Sequence, residues 1–187
     1  LLLSKRGNTR AVGFLEDISY PPHKSLEFYD TFLTLFPPET GIYGHVGAGC
    51  LHVRPFLDLS NLSGVPNLMR RGTEVLKSLG GSLSGEHGDG LVRSWLNRDL
   101  YGEKIYSAFV AFKKAFDPKN RFNPGKIISD HFPKEHLRSL PKREFNTFLD
   151  FSKEGGLALA ADLCNGNGLC RKSESLMCPS FQATNSE

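Results

Sequence analysis

The sequence predicts an α+β fold built on an antiparallel sheet. Short β-prone runs alternate along the chain with amphipathic helical stripes. Two of those runs, residues 42–46 and 51–56, flank a glycine-bearing connection and read as a hairpin. The 187 residues are 39% hydrophobic and 23% charged, a globular balance with enough apolar material for a sizeable core. That length suits one large domain, or one domain plus an appendage. The 23 Lys+Arg exceed the 20 Asp+Glu by three, too small an excess to argue for nucleic acid or an acidic membrane surface. No apolar run approaches the ~18 residues of a membrane span. Leu1-Leu2-Leu3 is too short for a signal-peptide core and is followed by charge. The first residue is Leu rather than Met, inside an apolar stretch, which reads as a fragment of a longer protein.

The elements follow in order. Residues 11–15 form an apolar run suited to a strand, closed by Glu16-Asp17 and Pro21-Pro22. Over residues 25–36, Leu26, Phe28, Phe32, Leu33 and Phe36 make a helical stripe that Pro37-Pro38 ends. The hairpin comes next, then a helix over 66–79 with Val75, Leu76 and Leu79 inward, stopped by Gly80-Gly81. Ser84-Gly-Glu-His-Gly-Asp-Gly90 is too rich in glycine for helix or strand and is a loop. Residues 101–116 form a strong helix, with Ile105, Phe109, Phe112 and Phe116 at three-to-four spacing, broken by Asp117-Pro118. Asn123-Pro-Gly-Lys126 makes a further turn. The expected divisions are a main domain over 1–130, a linker or helical arm over 131–160, and a separate beginning over 161–187.

Two features carry chemistry. His45 and His52 lie symmetrically about Ala48-Gly49, so a hairpin centred there makes them a directly opposed cross-strand pair. Their Cβ atoms would stand roughly 4.5–5.5 Å apart, close enough to bite one divalent cation. The plainer alternative is one surface and one core histidine. Glu86 and His87 sit side by side between glycines, which strip away steric cover and permit unusual backbone angles. A carboxylate and an imidazole there supply a third metal ligand and a general base. The plainer alternative is a solvated turn.

Gly44-His-Val-Gly-Ala-Gly-Cys-Leu-His52, then Ser84-Gly-Glu-His-Gly-Asp-Gly90, then Phe116-Asp-Pro and Asn123-Pro-Gly-Lys126, resemble the C-terminal domain of FAD-linked oxidases of the vanillyl-alcohol-oxidase type. That superfamily includes D-lactate, glycolate and D-2-hydroxyglutarate dehydrogenases. The resemblance covers residues 10–128, and Phe14-Leu-Glu-Asp with Pro21 is similar to the strand before the first cap helix. It implies a ferredoxin-like antiparallel sheet roofing a flavin. It also implies oxidation of a D-2-hydroxy acid to a 2-oxo acid, a base taking the hydroxyl proton while hydride goes to flavin. By position, His45, His52 and Glu86 match ligands of a divalent metal, usually zinc, and His87 matches the base. FAD would be held mainly by a preceding domain, since no glycine-rich pyrophosphate loop opening a helix is seen.

Several positions depart from the family pattern. Arg54 stands where many members carry Asn, and could pair a distal substrate carboxylate or be a hairpin surface charge. Leu15 stands where many carry a substrate-binding Lys. Cys50 replaces the usual Asn of the turn. Asn123 could reach the substrate and flavin side or simply form its turn. In the tail, Cys164, Cys170 and Cys178-Pro179 resemble the start of a fused iron–sulfur domain, one ligand short of a [4Fe–4S] cluster; the alternative is three reduced thiols. With clusters, electrons would leave the flavin toward a quinone or carrier. The implied partners are a small 2-hydroxy acid, the FAD domain and that acceptor, with a homodimer allowed. The implied location is the cytoplasm, with room for peripheral contact with the inner membrane face. The competing reading is a non-catalytic metal-binding or interaction module.

Overall fold

The chain, analysed as a computed structural model, is described for residues 5–137, 140–164, 167–172 and 179–185. Strand β4 (Cys50–Arg54) is the centre of a three-stranded antiparallel sheet. It pairs with β2 (Asp17–Ser19) on one side and β3 (Gly41–His45) on the other. Neighbours on both sides explain why four of its five residues are buried. Ser82 adds a single antiparallel bridge to Ser19 beyond β2. The chain order is β2, helix α1 (Ser25–Thr31), β3, β4, helix α2 (Val65–Leu79), then Ser82. That is the β-α-β-β-α-β order of a ferredoxin-like unit, with the last strand reduced to one bridge. A separate two-stranded ribbon joins β1 (Thr9–Ala11) to β5 (Phe56–Asp58).

Both helices bury one face on this sheet. In α2 the buried positions Val65, Met69, Gly72, Thr73, Leu76 and Leu79 recur at three-to-four spacing. Pro66 sits in its first turn, where a missing N–H costs nothing. Gly80 closes it in the left-handed region at φ 74°, its N–H returning to Leu76 and Lys77 carbonyls. α1 feeds an aromatic stack, with Tyr20–Phe28, Phe28–Phe32 and Phe32–Phe36 ring centres 4.1, 4.8 and 5.2 Å apart.

Three expectations needed correction. The apolar run 11–15 is not a strand beyond Ala11. There the chain leaves the β1–β5 ribbon, Val12 N–H bonding Pro55 O at 3.0 Å, and enters the sheet only at Asp17. Leu15 is fully buried in the core between them. The helix expected over 25–36 is α-helical only to Thr31 and tightens into a single turn at Leu33–Leu35 before Pro37. Helix α4 (Asn97–Phe116) starts earlier than expected and is broken at Gly102, φ 79° and ψ 166°. Its stripe Ile105, Phe112 and Phe116 faces solvent, because α4 buries Leu100 and Tyr106 instead.

After α4 the chain turns on Asp117. Its carboxylate accepts from Lys113 Nζ at 2.5 Å and from the Arg121 and Phe122 amides at 2.9 Å. The Lys113 contact leads in holding the Asp117 carboxyl down at about 2. Phe132 then wedges edge-on between Phe14 and Trp95, centroids 5.9 and 5.8 Å away. The arm returns to the first described residues, with Gly7 N–H donating to Glu154 O at 3.3 Å and Arg10 pairing Asp162 at 3.1 Å. Short helices α3 (Gly90–Arg93), α5 (Leu157–Asp162) and α6 (Pro179–Thr184) complete the elements. Among the described residues no helix is long and apolar enough to cross a membrane.

α2 approaches the chain beneath it closely at Gly72. A Cβ there would stand 2.5 Å from Leu15 Cδ1. Alanine ordinarily gains about 1 kcal/mol over glycine inside a helix, whereas overpacking a core costs about 1–3 kcal/mol. Gly72→Ala should therefore destabilise the wild-type chain in urea unfolding. On a Leu15→Ala background, where the obstructing methyl is gone, the same substitution should stabilise it. The sign reversal is read from the double-mutant cycle.

Candidate functional site

The site is assembled where the β3–β4 hairpin meets the loop after Ser82. Hairpin geometry fixes two of its imidazoles. Val46–Ala48 make one tight turn, closed by Gly49 in the left-handed region at φ 68°. A Cβ on Gly49 would lie 2.0 Å from Tyr20 O, so only glycine fits. This four-residue connection centres the hairpin one residue earlier than the sequence suggests. Tyr43 faces His52 and His45 faces Cys50, so the directly opposed histidine pair is not formed. The difference moves each partner by two, which preserves the face. His45 and His52 are therefore diagonal neighbours on one face, ring centres 6.2 Å apart.

Glu86 and His87 are brought to the same face by a residue that the sequence reading placed at the end of a strand and in a family motif, with no part in the site. Asp17, fully buried on β2, accepts from Ser84 Oγ at 2.7 Å and from the Gly85, Glu86 and His87 amides at 3.1, 3.1 and 2.6 Å. Burial pushes the Asp17 carboxyl up, but the hydrogen bonds from Ser84, His87 and Glu86 outweigh it and leave the group below its ordinary value. Gly85 is required by this closeness, since a Cβ would stand 2.8 Å from Cys50 Sγ. Cys50 is buried, and burial with the adjacent Asp17 charge pushes its thiol up, so it is a packing residue.

The result is convergence on one oxygen. Glu86 Oε1 lies 3.0 Å from His52 Nε2, 3.6 Å from His45 Nε2 and 3.8 Å from His87 Nε2. Ligands at the usual zinc distances stand roughly 3.0–3.4 Å from one another. Of the three expected ligands, His52 stands at such a distance from Glu86 and His45 a little beyond it, and His45 lies outside the group of donors that are all close to one another. Asp17, His52, Glu86 and His87 each place one ligand atom within 4.8 Å of the others. Asp17 is the weakest ligand of that group, because its oxygens are already taken by the loop's donors. His52 is buried with Nδ1 unbonded, and its ring stacks on His87 at 4.7 Å and 5°. His87 Nδ1 lies 3.0 Å from Glu16 Oε1, and this hydrogen bond leads in pushing the imidazole up from its ordinary value.

The remaining candidates lie elsewhere or are engaged. Arg54 Nη2 is 2.7 Å from Glu16 Oε2 and is turned to that carboxylate. Leu15 points into the core, away from the donors. Asn123 is exposed at φ 45°, and its carbonyl accepts from Lys126 N–H at 3.3 Å, the geometry of a turn former. Cys164 and Cys170 are exposed, and Cys178 lies outside the described residues. Besides Asp17, sequence reasoning missed Glu16. Arg93 is 5% exposed, donates to Gly88 O, and approaches Glu16 and Asp17 to 3.8 Å each. The available signal was a pair of acids set inside the apolar run 11–18.

The family described as "FAD linked oxidases, C-terminal domain" matches residues 3–127. D-2-hydroxyglutarate dehydrogenase of Haemophilus influenzae is 34% identical over 98% of this chain and 19% of its own length. The Escherichia coli K12 protein of the same name is 33% identical over the same shares. D-lactate dehydrogenase of Archaeoglobus fulgidus is 34% identical over 60% of this chain and 26% of its own length. The chain spans about a fifth of the length of the D-2-hydroxyglutarate dehydrogenases it matches.

The Asp17 clamp is testable by itself. Asp17→Asn replaces one acceptor oxygen with a donor opposite the loop amides, at an expected cost of about 1–3 kcal/mol. Amide exchange at Gly85, Glu86 and His87 should quicken. Because the folded carboxyl is held below its unfolded value, its contribution is present above about pH 4 and is lost as pH falls further. The wild type should lose stability across that acid limb more steeply than Asp17→Asn.

Proposed function

Since the chain belongs to the FAD-linked oxidases through their C-terminal domain, we propose that it is the substrate-handling part of an FAD-dependent dehydrogenase that oxidises a 2-hydroxy acid to a 2-oxo acid. The observation that carries this reading is the convergence of the three imidazoles of His45, His52 and His87 on the Glu86 carboxylate. Two nitrogens and one oxygen, all on one face and half open to solvent, suit a divalent cation that keeps positions free for substrate, with zinc favoured by the donor set. His45, His52 and Glu86 would hold that cation. A bound cation supplies positive charge that lowers the pKa of a substrate hydroxyl, and bound FAD supplies the acceptor for the hydride on the same carbon.

This chain's own residues do the rest. His87 takes the hydroxyl proton at Nε2, the nitrogen facing the donor cluster. The carbon–hydrogen pair leaves as hydride and the hydroxyl proton rests on His87, so the product is the 2-oxo acid and the balance is two electrons and two protons. Stacking of His52 on His87 keeps the base ring beside the proposed ligands. The relatives' names, D-2-hydroxyglutarate and D-lactate dehydrogenase and glycolate oxidase subunit GlcD, support a hydroxy acid as substrate class. The proposal extends to the tail, where Cys164, Cys170 and Cys178 would supply thiolates to an iron–sulfur cluster passing electrons to a quinone or carrier.

The test is a panel of D-lactate, glycolate and D-2-hydroxyglutarate with a dye acceptor, run on the flavin-loaded enzyme with and without chelator. Turnover should vanish with chelator and return with added zinc. His87→Ala should keep its metal and lose rate by roughly 10²–10⁴. A purely structural metal site would leave the rate of His87→Ala unchanged and would sink the proposal.

A further inference from the structure

An imidazole has two nitrogens, and a base needs one of them reserved. Nδ1 of His87 lies 3.0 Å from Glu16 Oε1, and Nε2 lies 3.8 Å from Glu86 Oε1. An ionised carboxylate can only accept. The neutral ring therefore carries its proton on Nδ1, toward Glu16, and leaves the Nε2 lone pair facing the donor cluster.

Glu16 is itself fixed. It is 9% exposed, its Oε2 is 2.7 Å from Arg54 Nη2, and Arg93 Nη1 stands 3.8 Å from its Oε1. Two guanidiniums flank the carboxylate and hold it in place beside the ring. The backbone leaves room for this arrangement at Gly13. A Cβ there would come within 2.9 Å of Arg54 Nη1 and 3.2 Å of Glu16 Cγ. The neighbouring acid, Asp17, holds the loop backbone, so the two adjacent carboxylates divide the work between main chain and imidazole.

We propose that Glu16 is the positioning residue for His87, fixing the Nδ1–H tautomer so that Nε2 is the proton acceptor, and that Arg54 serves this site by holding Glu16. The proposal deepens the dehydrogenase reading and rests on it for the role of the base. The orientation of the ring does not depend on that role.

The first measurement therefore needs no turnover. Side-chain ¹⁵N shifts of His87 are recorded on the metal-free chain along a rising pH series and read on the alkaline plateau, where they no longer change with pH. Wild type should show protonated Nδ1 and bare Nε2. Glu16→Gln keeps the shape but offers both an acceptor and a donor, so both tautomers should become populated, and Glu16→Ala should release the ring fully. An Nε2–H ring in wild type, or an unchanged tautomer ratio in Glu16→Gln, overturns the proposal. In the flavin-loaded enzyme, Glu16→Gln should lower kcat roughly 10–100-fold, with zinc content retained and KM changed less than about twofold. A fall in kcat that comes with loss of zinc overturns it, because the site has then come apart. If His87→Ala turns over normally while Glu16→Gln still releases the tautomer, the base assignment fails and the positioning by Glu16 stands.

Discussion

The site depends on one buried carboxylate. Asp17 has no solvent exposure, and its charge is balanced by four donors drawn from Ser84, Gly85, Glu86 and His87. Burying a carboxylate without partners is among the most costly things a fold can do. The loop is therefore held by more than its own conformational preference. If it lifts away, a charge is left in the interior with long contacts to Arg93 and His52 and the weak donor of the Cys50 thiol. A glycine-rich segment that would otherwise sample many shapes is tied down at every residue from 84 to 87, and the Glu86 and His87 side chains leave it at fixed points.

The surrounding sheet makes that anchor possible. Asp17 pairs with His52 in the β2–β4 register, so the residue that clamps the loop and the buried imidazole are cross-strand neighbours. The bridge from Ser19 to Ser82 delivers the chain to the clamp two residues later. Asp17 accepts from the loop backbone, while Glu16, one residue before the strand, reaches the His87 ring. The three carboxylates Glu16, Asp17 and Glu86 sit close together. They are tolerable because Arg54, Arg93 and the loop donors are interleaved among them.

What was legible in the sequence followed from local chemistry. The hairpin, the glycine-framed Glu86-His87 loop and helix α2 were all signalled within a few residues by glycine, proline and periodicity. What was not legible depended on distant partners. The role of Asp17 requires His87, 70 positions away, and nothing in Glu16-Asp17 itself names that partner. The hairpin centre was displaced by one residue because several glycines could each have closed the turn, and only the approach of Tyr20 O singles out Gly49. The stripe on α4 was read correctly as a stripe, but periodicity does not say whether anything covers it.

The proposed ligand Glu86 and the proposed base His87 are adjacent residues of one clamped loop. Separate elements could drift independently, and the distance between cation and proton acceptor would then vary with each. Here both side chains hang from backbone amides that share the Asp17 carboxylate, 3.1 Å at Glu86 and 2.6 Å at His87. In the proposed reading, metal holding and base placement would therefore not be independent quantities, and damage to the clamp would reach both through the same bonds. Residues that act as a unit give strongly non-additive effects when removed together. Asp17 and Glu16, side by side in sequence but acting on the main chain and the imidazole of the same residue, form such a unit with His87.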